Sequence, residues 1–196
     1  MKRHVILFVE GHTDIVLFPK IIQYYKELTG CNDIEFHIEN LKGVGNYKGK
    51  AKGRVKQHLQ EISKNGDVLT CILCSYDTDR FEFGRNPPID WKKLSKELNT
   101  VVGRNVVKTI PVEHAIEDWL LSDIDGLCSY LKTKKKPHLV GNSGFDKLCN
   151  WFKQYGKVYS KGYDCQKIVP FLNIGKIVST HSKALTPLKE VFEIKQ

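Results

Sequence analysis

Two short apolar runs in this chain each end in acid. Val5-Ile6-Leu7-Phe8-Val9 runs directly into Glu10-Gly11-His12-Thr13-Asp14, and Val68-Leu69-Thr70-Cys71-Ile72-Leu73-Cys74 runs into Ser75-Tyr76-Asp77-Thr78-Asp79-Arg80. An apolar run of this length reads as a strand buried on both faces, the kind found in parallel sheets. Open α/β sheets bind their ligands beyond the carboxyl ends of the strands. If the two strands are neighbours, Glu10, Asp77 and Asp79 converge there. Carboxylates held together raise one another's pKa unless a cation sits among them. A donor set made only of oxygen suits a hard ion, Mg²⁺ or Mn²⁺, one or two of them.

The rest of the pattern fits that sheet. The first strand spans residues 4–9, and Thr13 or Asp14 caps a helix that runs to 28 and stops at Gly30. Ile15, Leu17, Phe18, Ile21, Ile22 and Tyr25 form its apolar face. Residues 34–41 alternate Ile34, Phe36 and Ile38 with polar neighbours, which marks an edge or half-covered strand. A glycine-rich basic loop from Lys42 to Lys50 precedes a helix over 51–64. The third strand covers 68–74. Pro87-Pro88 interrupts, and Asp90 caps a helix over 91–98. A fourth strand at 106–110 is followed by helices over 113–122 and 123–131. Alternating strands and helices predict an α/β fold, a mostly parallel sheet flanked by helices. Residues 1–131 form the main unit. Residues 132–196 form a small C-terminal extension packed on it, with helices over 145–152 and 165–172.

Composition narrows the partners. The 196 residues carry a net charge of +9, which favours a polyanion, DNA or RNA. Lys48, Lys50, Lys52 and Arg54 lie among glycines with no acid between them, either as a phosphate-binding face or as a solvated helix face. The run from Lys132 to Lys136 reads as a solvated turn or as an addition to a nucleic-acid groove. Six scattered cysteines outline no disulfide framework, and Cys71 and Cys74 read as core residues. No apolar run is long enough to span a membrane, and a cytoplasmic location is expected. His12, His58, His114 and His181 are too scattered for a histidine site. His12, beside Glu10, is either a proton carrier or a surface residue.

Val9-Glu10-Gly11 and Asp77-Thr78-Asp79 together resemble the Toprim pattern, a Glu after the first strand and Asp-x-Asp after the third. The segment from Ile110-Pro111 through Ile116-Glu117-Asp118-Trp119-Leu120-Leu121-Ser122-Asp123 is similar to small stand-alone Toprim-like proteins. Those are related to the overcoming-lysogenization-defect (OLD) nucleases. The resemblance covers residues 4–123. It implies a Toprim-like, Rossmann-like fold and a metal-dependent nuclease, often an anti-phage effector. It further implies a separately encoded ATPase partner.

By the same resemblance Asp14 matches the acidic residue four positions after the first Glu, and Glu117 matches a later acid of the metal site. Lys161, in Tyr159-Ser160-Lys161, matches a lysine near the end of the domain. Read without the resemblance, Asp14 is either a helix cap or a support for the ion. Glu113 and Glu117 share a helix face: either both are solvated acids of an amphipathic helix, or one reaches the site and the other flanks it. One departure stands out. Arg80-Phe81-Glu82-Phe83-Gly84 replaces the usual glycine-rich continuation, which argues against a topoisomerase or primase. The rival class is a non-catalytic Toprim-like subunit that binds nucleic acid or regulates an ATPase complex.

Overall fold

A computed structural model describes residues 1–82 and 88–194, apart from the side chains at 80 and 82. The Pro87 half of the Pro87-Pro88 break and the Phe83-Gly84 segment lie outside the described residues.

Four strands carry the fold: β1 (Arg3–Val9), β2 (Ile34–Asn40), β3 (Val68–Asp77) and β4 (Val107–Val112). All pair in parallel in the order β2-β1-β3-β4, an α/β sheet of the Rossmann-like kind flanked by helices. The chain goes from β1 outward to β2, then returns past β1 to β3. The sheet therefore has its topological switch point between β1 and β3, where a ligand crevice opens. Those two strands carry the acidic endings.

Side chains alternate across the strands and feed two cores. Val5, Leu7, Val9, Leu73, Ile110 and Val112 pack on one face. That face is covered by α1 (His12–Thr29), α5 (Ile116–Leu121) and the later helices. Ile6, Phe8, Ile72 and Cys74 pack on the other, beneath α2 (Tyr47–Lys64) and, after the short α3 (Asp79–Glu82), beneath α4 (Trp91–Val102). Cys71 belongs to the first core and Cys74 to the second, so their C-x-x-C spacing cannot close on one ion. Both thiols are free.

The C-terminal residues build the first core rather than hang from it. After α6 (Ile124–Leu131) come α7 (Gly144–Lys153), α8 (Tyr163–Ile168), α9 (Ile174–Thr180) and α10 (Thr186–Val191). Leu148, Trp151, Phe152, Ile168, Leu185, Leu188 and Phe192 join the strand residues in one cluster. Among the described residues no helix is long and apolar enough to cross a membrane.

Several boundaries differ from the sequence reading. α1 starts at His12 with Gly11 as its N-cap, so Thr13 and Asp14 lie inside the first turn rather than at the cap position. α2 starts at Tyr47 rather than 51. Tyr47, Ala51, Val55, His58 and Ile62 recur at helical spacing and are buried, while Gly49 and Gly53 fall on the exposed face and do not interrupt it. The Tyr47 hydroxyl donates to the Ser75 carbonyl and locks this turn to β3. α4 runs on to Val102, where Gly103 closes it in the left-handed region at φ 79°.

Candidate metal centre

Glu10 follows the last residue of β1 and ties three segments together. Its Oε1 accepts from the Asp77 N–H at 3.0 Å and its Oε2 from the Val44 N–H at 2.9 Å. These bonds fix the orientation of the Glu10 carboxylate. Asp77 closes β3, and its Oδ1 accepts from the N–H of Ile116, the first residue of α5, at 3.1 Å. The Asp77-Thr78-Asp79 turn is pinned to the end of β4. Thr78 N–H donates to Val112 at 2.9 Å, Asp79 N–H donates to His114 at 3.1 Å, and His114 N–H donates to the Thr78 hydroxyl at 2.8 Å.

The two aspartates do not sit on one extended segment. β3 ends at Asp77 and α3 begins at Asp79, so a strand-to-helix turn presents both. They nevertheless line one cavity of about 210 Å³ together with Glu10, Asp14, Glu117 and Lys161. His12 lies at its rim and is exposed.

Asp14 and Glu117 form the buried wall. Asp14 is 2 % exposed and Glu117 is fully buried. Glu117 Oε1 accepts from the Thr13 hydroxyl at 3.0 Å, and its Oε2 meets Lys161 Nζ at 3.2 Å. Lys161 reaches this place because Gly162 follows it. Gly162 has φ 76°, and a Cβ there would stand 2.5 Å from the His12 Cβ. Only glycine allows this loop to lie so close to the start of α1. Glu113 is exposed and lines a separate groove beside Trp119 and His181, so Glu117 is the acid of the pair that reaches the cavity. The sequence reading missed Thr13 as the support of Glu117. Its place two residues after Gly11, in the first turn of α1, was the signal available.

Among the described residues, five carboxylates and one lysine surround a small space, and the electrostatics follow from that. Burial pushes the Asp77 carboxyl up to about 9, with Asp14, Glu10, Glu117 and Asp79 adding repulsion. Burial also lifts Asp14 to about 7, with Glu117 and Glu10 adding to it. At neutral pH, then, Asp77 holds a proton in place of a cation. Asp79 Oδ1 is buried and has no hydrogen-bond partner among the described residues. An oxygen-lined cavity with protons forced onto buried acids and an orphaned carboxylate oxygen fits a hard divalent ion. The acids face the cavity without closing on one point. Among the described residues, the one trio of His, Cys, Asp or Glu side chains whose donor atoms gather within 4.8 Å is His4, Glu35 and His37, toward the other end of the sheet.

Lys48, Lys50, Lys52 and Arg54 are exposed on the first two turns of α2 rather than in a loop. Val44, just ahead of that helix, donates to Glu10, so the basic turns begin beside the cavity. Arg54 lies 3.7 Å from Glu39, and Lys50 donates to the Leu41 carbonyl at 3.4 Å. The Lys132–Lys136 turn is exposed apart from the half-buried Thr133, and Lys136 pairs with Asp125. Compared with protein families, curated proteins and solved structures, the chain matches none.

Proposed function

We propose that this chain is a divalent-metal-dependent nuclease of the Toprim/OLD type that cleaves DNA or RNA phosphodiesters and acts as an anti-phage effector. One observation carries the reading: five carboxylates from separate segments meet in one cavity at the switch point of a parallel sheet. Glu10, Asp77 and Asp79 would hold a Mg²⁺ or Mn²⁺ ion, with Asp14 and Glu117 available to a second. Bound there, such ions neutralise a phosphoryl oxygen and lower the pKa of water.

The chain's own residues do the rest. Thr13 fixes Glu117 in the wall of the cavity. Lys161 presents its ammonium to charge developing on the phosphoryl group, a role for which a fixed cation is suited. The exposed basic turns of α2 hold the nucleic-acid backbone by contacts that carry no sequence information.

A second reading is favoured by the spread of the carboxylates, which do not form a closed ligand set. In it the chain is a non-catalytic Toprim-like subunit that binds nucleic acid or regulates an ATPase-containing complex. Cleavage of single- and double-stranded DNA and of RNA separates the two. The assay is run with Mn²⁺, with and without any ATPase encoded beside the gene. The nuclease reading expects cleavage by the wild type and loss of at least about a hundredfold in Asp77→Ala, the scale of removing one group that acts on the transition state. Equal behaviour of the two proteins leaves the non-catalytic reading.

A further inference from the structure

A second cluster lies toward the amino ends of the strands. His4 leads β1 and pairs in register with Glu35 of β2, while Ile6 pairs with His37. Residues paired across a parallel ladder project to one face, so His4, Glu35 and His37 share a face of the sheet. Their donor atoms all lie within 4.8 Å of one another. His4 Nδ1 faces His37 Nε2 at 2.8 Å. His4 Nε2 lies 3.2 Å from Asp67 Oδ2. An ionised carboxylate only accepts, so His4 Nε2 carries a hydrogen, which leaves Nδ1 as the nitrogen facing His37.

We infer that His4, His37 and Glu35 form a binding site for a zinc-class divalent ion, distinct from the carboxylate cavity. Two imidazoles and one carboxylate are a donor set that zinc takes and magnesium does not. Asp67 supplies the outer carboxylate that orients a ligating histidine through its other ring nitrogen. The hydrogen that His37 Nε2 shares with His4 Nδ1 passes to His37 Nδ1, so both imidazoles stay neutral and both lone pairs turn to the ion. Two Zn–N bonds of about 2.05 Å at a tetrahedral angle place the nitrogens roughly 3.3 Å apart, so the pair need open by only about 0.5 Å. Glu35 is exposed, and its pairing with Lys2 at 3.3 Å is a solvated one that is cheaply given up. The ion would clasp β2, an edge strand hydrogen-bonded on one side only, to β1 and to the Asp67 loop.

The test is a zinc titration of the full chain in saturating Mg²⁺, which keeps the carboxylate cavity from taking the zinc. Heat of binding gives stoichiometry, and Co²⁺ in place of zinc gives a visible spectrum that reports nitrogen ligands. The expected result is one equivalent bound, with affinity at least tenfold weaker in His37→Ala and in Glu35→Gln. Asp67→Asn, which leaves all three ligands in place, is expected to lose roughly ten- to a hundredfold. Asp77→Ala keeps the full zinc affinity. Glu35→Gln alters an exposed side chain, so its result stands even if His37→Ala does not fold. The inference is overturned if the wild type takes up no zinc in Mg²⁺. It is equally overturned if Glu35→Gln binds as the wild type does, or if Asp77→Ala abolishes binding.

Discussion

Proton release on metal binding is the most direct probe of the carboxylate cavity. Asp77 is lifted from 3.8 to about 9 and Asp14 from 3.8 to about 7. An acid whose folded pKa lies above its unfolded one stabilises the fold most at low pH, and that stability is lost as pH rises through the folded value. The slope for one such group is about 1.4 kcal/mol per pH unit. Asp77 therefore makes the metal-free protein lose about that much per unit across pH 5–8, and Asp14 adds a similar loss below pH 7. A metal ligand must be ionised, so binding expels the proton. Near pH 8, about a unit above the Asp14 value and a unit below that of Asp77, Asp77 still holds its proton while Asp14 has largely lost its own, so about one proton should leave per protein. Apparent Mn²⁺ affinity should then rise about tenfold per pH unit, and more steeply below pH 6.5 where Asp14 is protonated too. Titration calorimetry in buffers of different ionisation enthalpy counts the protons. His37 and His181, both lowered mainly by burial, shift stability in the opposite sense near pH 6.5. His181 lies outside the carboxylate cavity, so it contributes equally with and without Mn²⁺ and cancels in the difference. Asp77→Asn keeps an oxygen for the Ile116 N–H but cannot ionise, so its proton release near pH 8 should fall to near zero. Release near zero in the wild type, or equal release in Asp77→Asn, refutes the reasoning.

Two further outcomes test the frame around the site. Trp119 is fully buried, 6.0 Å from Phe18 and stacked on His181 at 4.7 Å, so Trp119→Ala should cost about 3–5 kcal/mol in denaturant unfolding. Charge reversal of Lys48, Lys50, Lys52 and Arg54 should weaken nucleic-acid binding and flatten its dependence on salt by up to roughly 0.9 per lost phosphate contact. Lys48 and Lys52 should dominate that change, because Lys50 and Arg54 already have partners in the protein.

Much of this was legible along the chain, because the relevant physics is local. The runs at Val5–Val9 and Val68–Cys74 are apolar enough to require burial on both faces, and an acid at the end of such a strand has one place to go. Parallel pairing, flanking helices and the approach of Glu10, Asp77 and Asp79 to one another follow from that. The start of α1 was misplaced because Thr13 and Asp14 resemble caps, whereas their side chains serve the cavity instead. The start of α2 was placed late because Gly49 reads as part of a glycine-rich loop, while burial of Tyr47 and Ala51 overrides its weak helix propensity.

Other features depend on contacts between residues far apart in sequence. Lys161 meets Glu117 only because the tail folds back into the first core and Gly162 tolerates contact with His12. His4, His37 and Asp67 look scattered along the chain, and His58 packs against His37 with ring centroids 4.8 Å apart. Strand register decides that grouping: a one-residue slip of β2 against β1 would turn His37 to the opposite face. Local sequence thus determined which strand ends carry acid. The summed packing of the whole chain set the register, and with it the partner of every histidine.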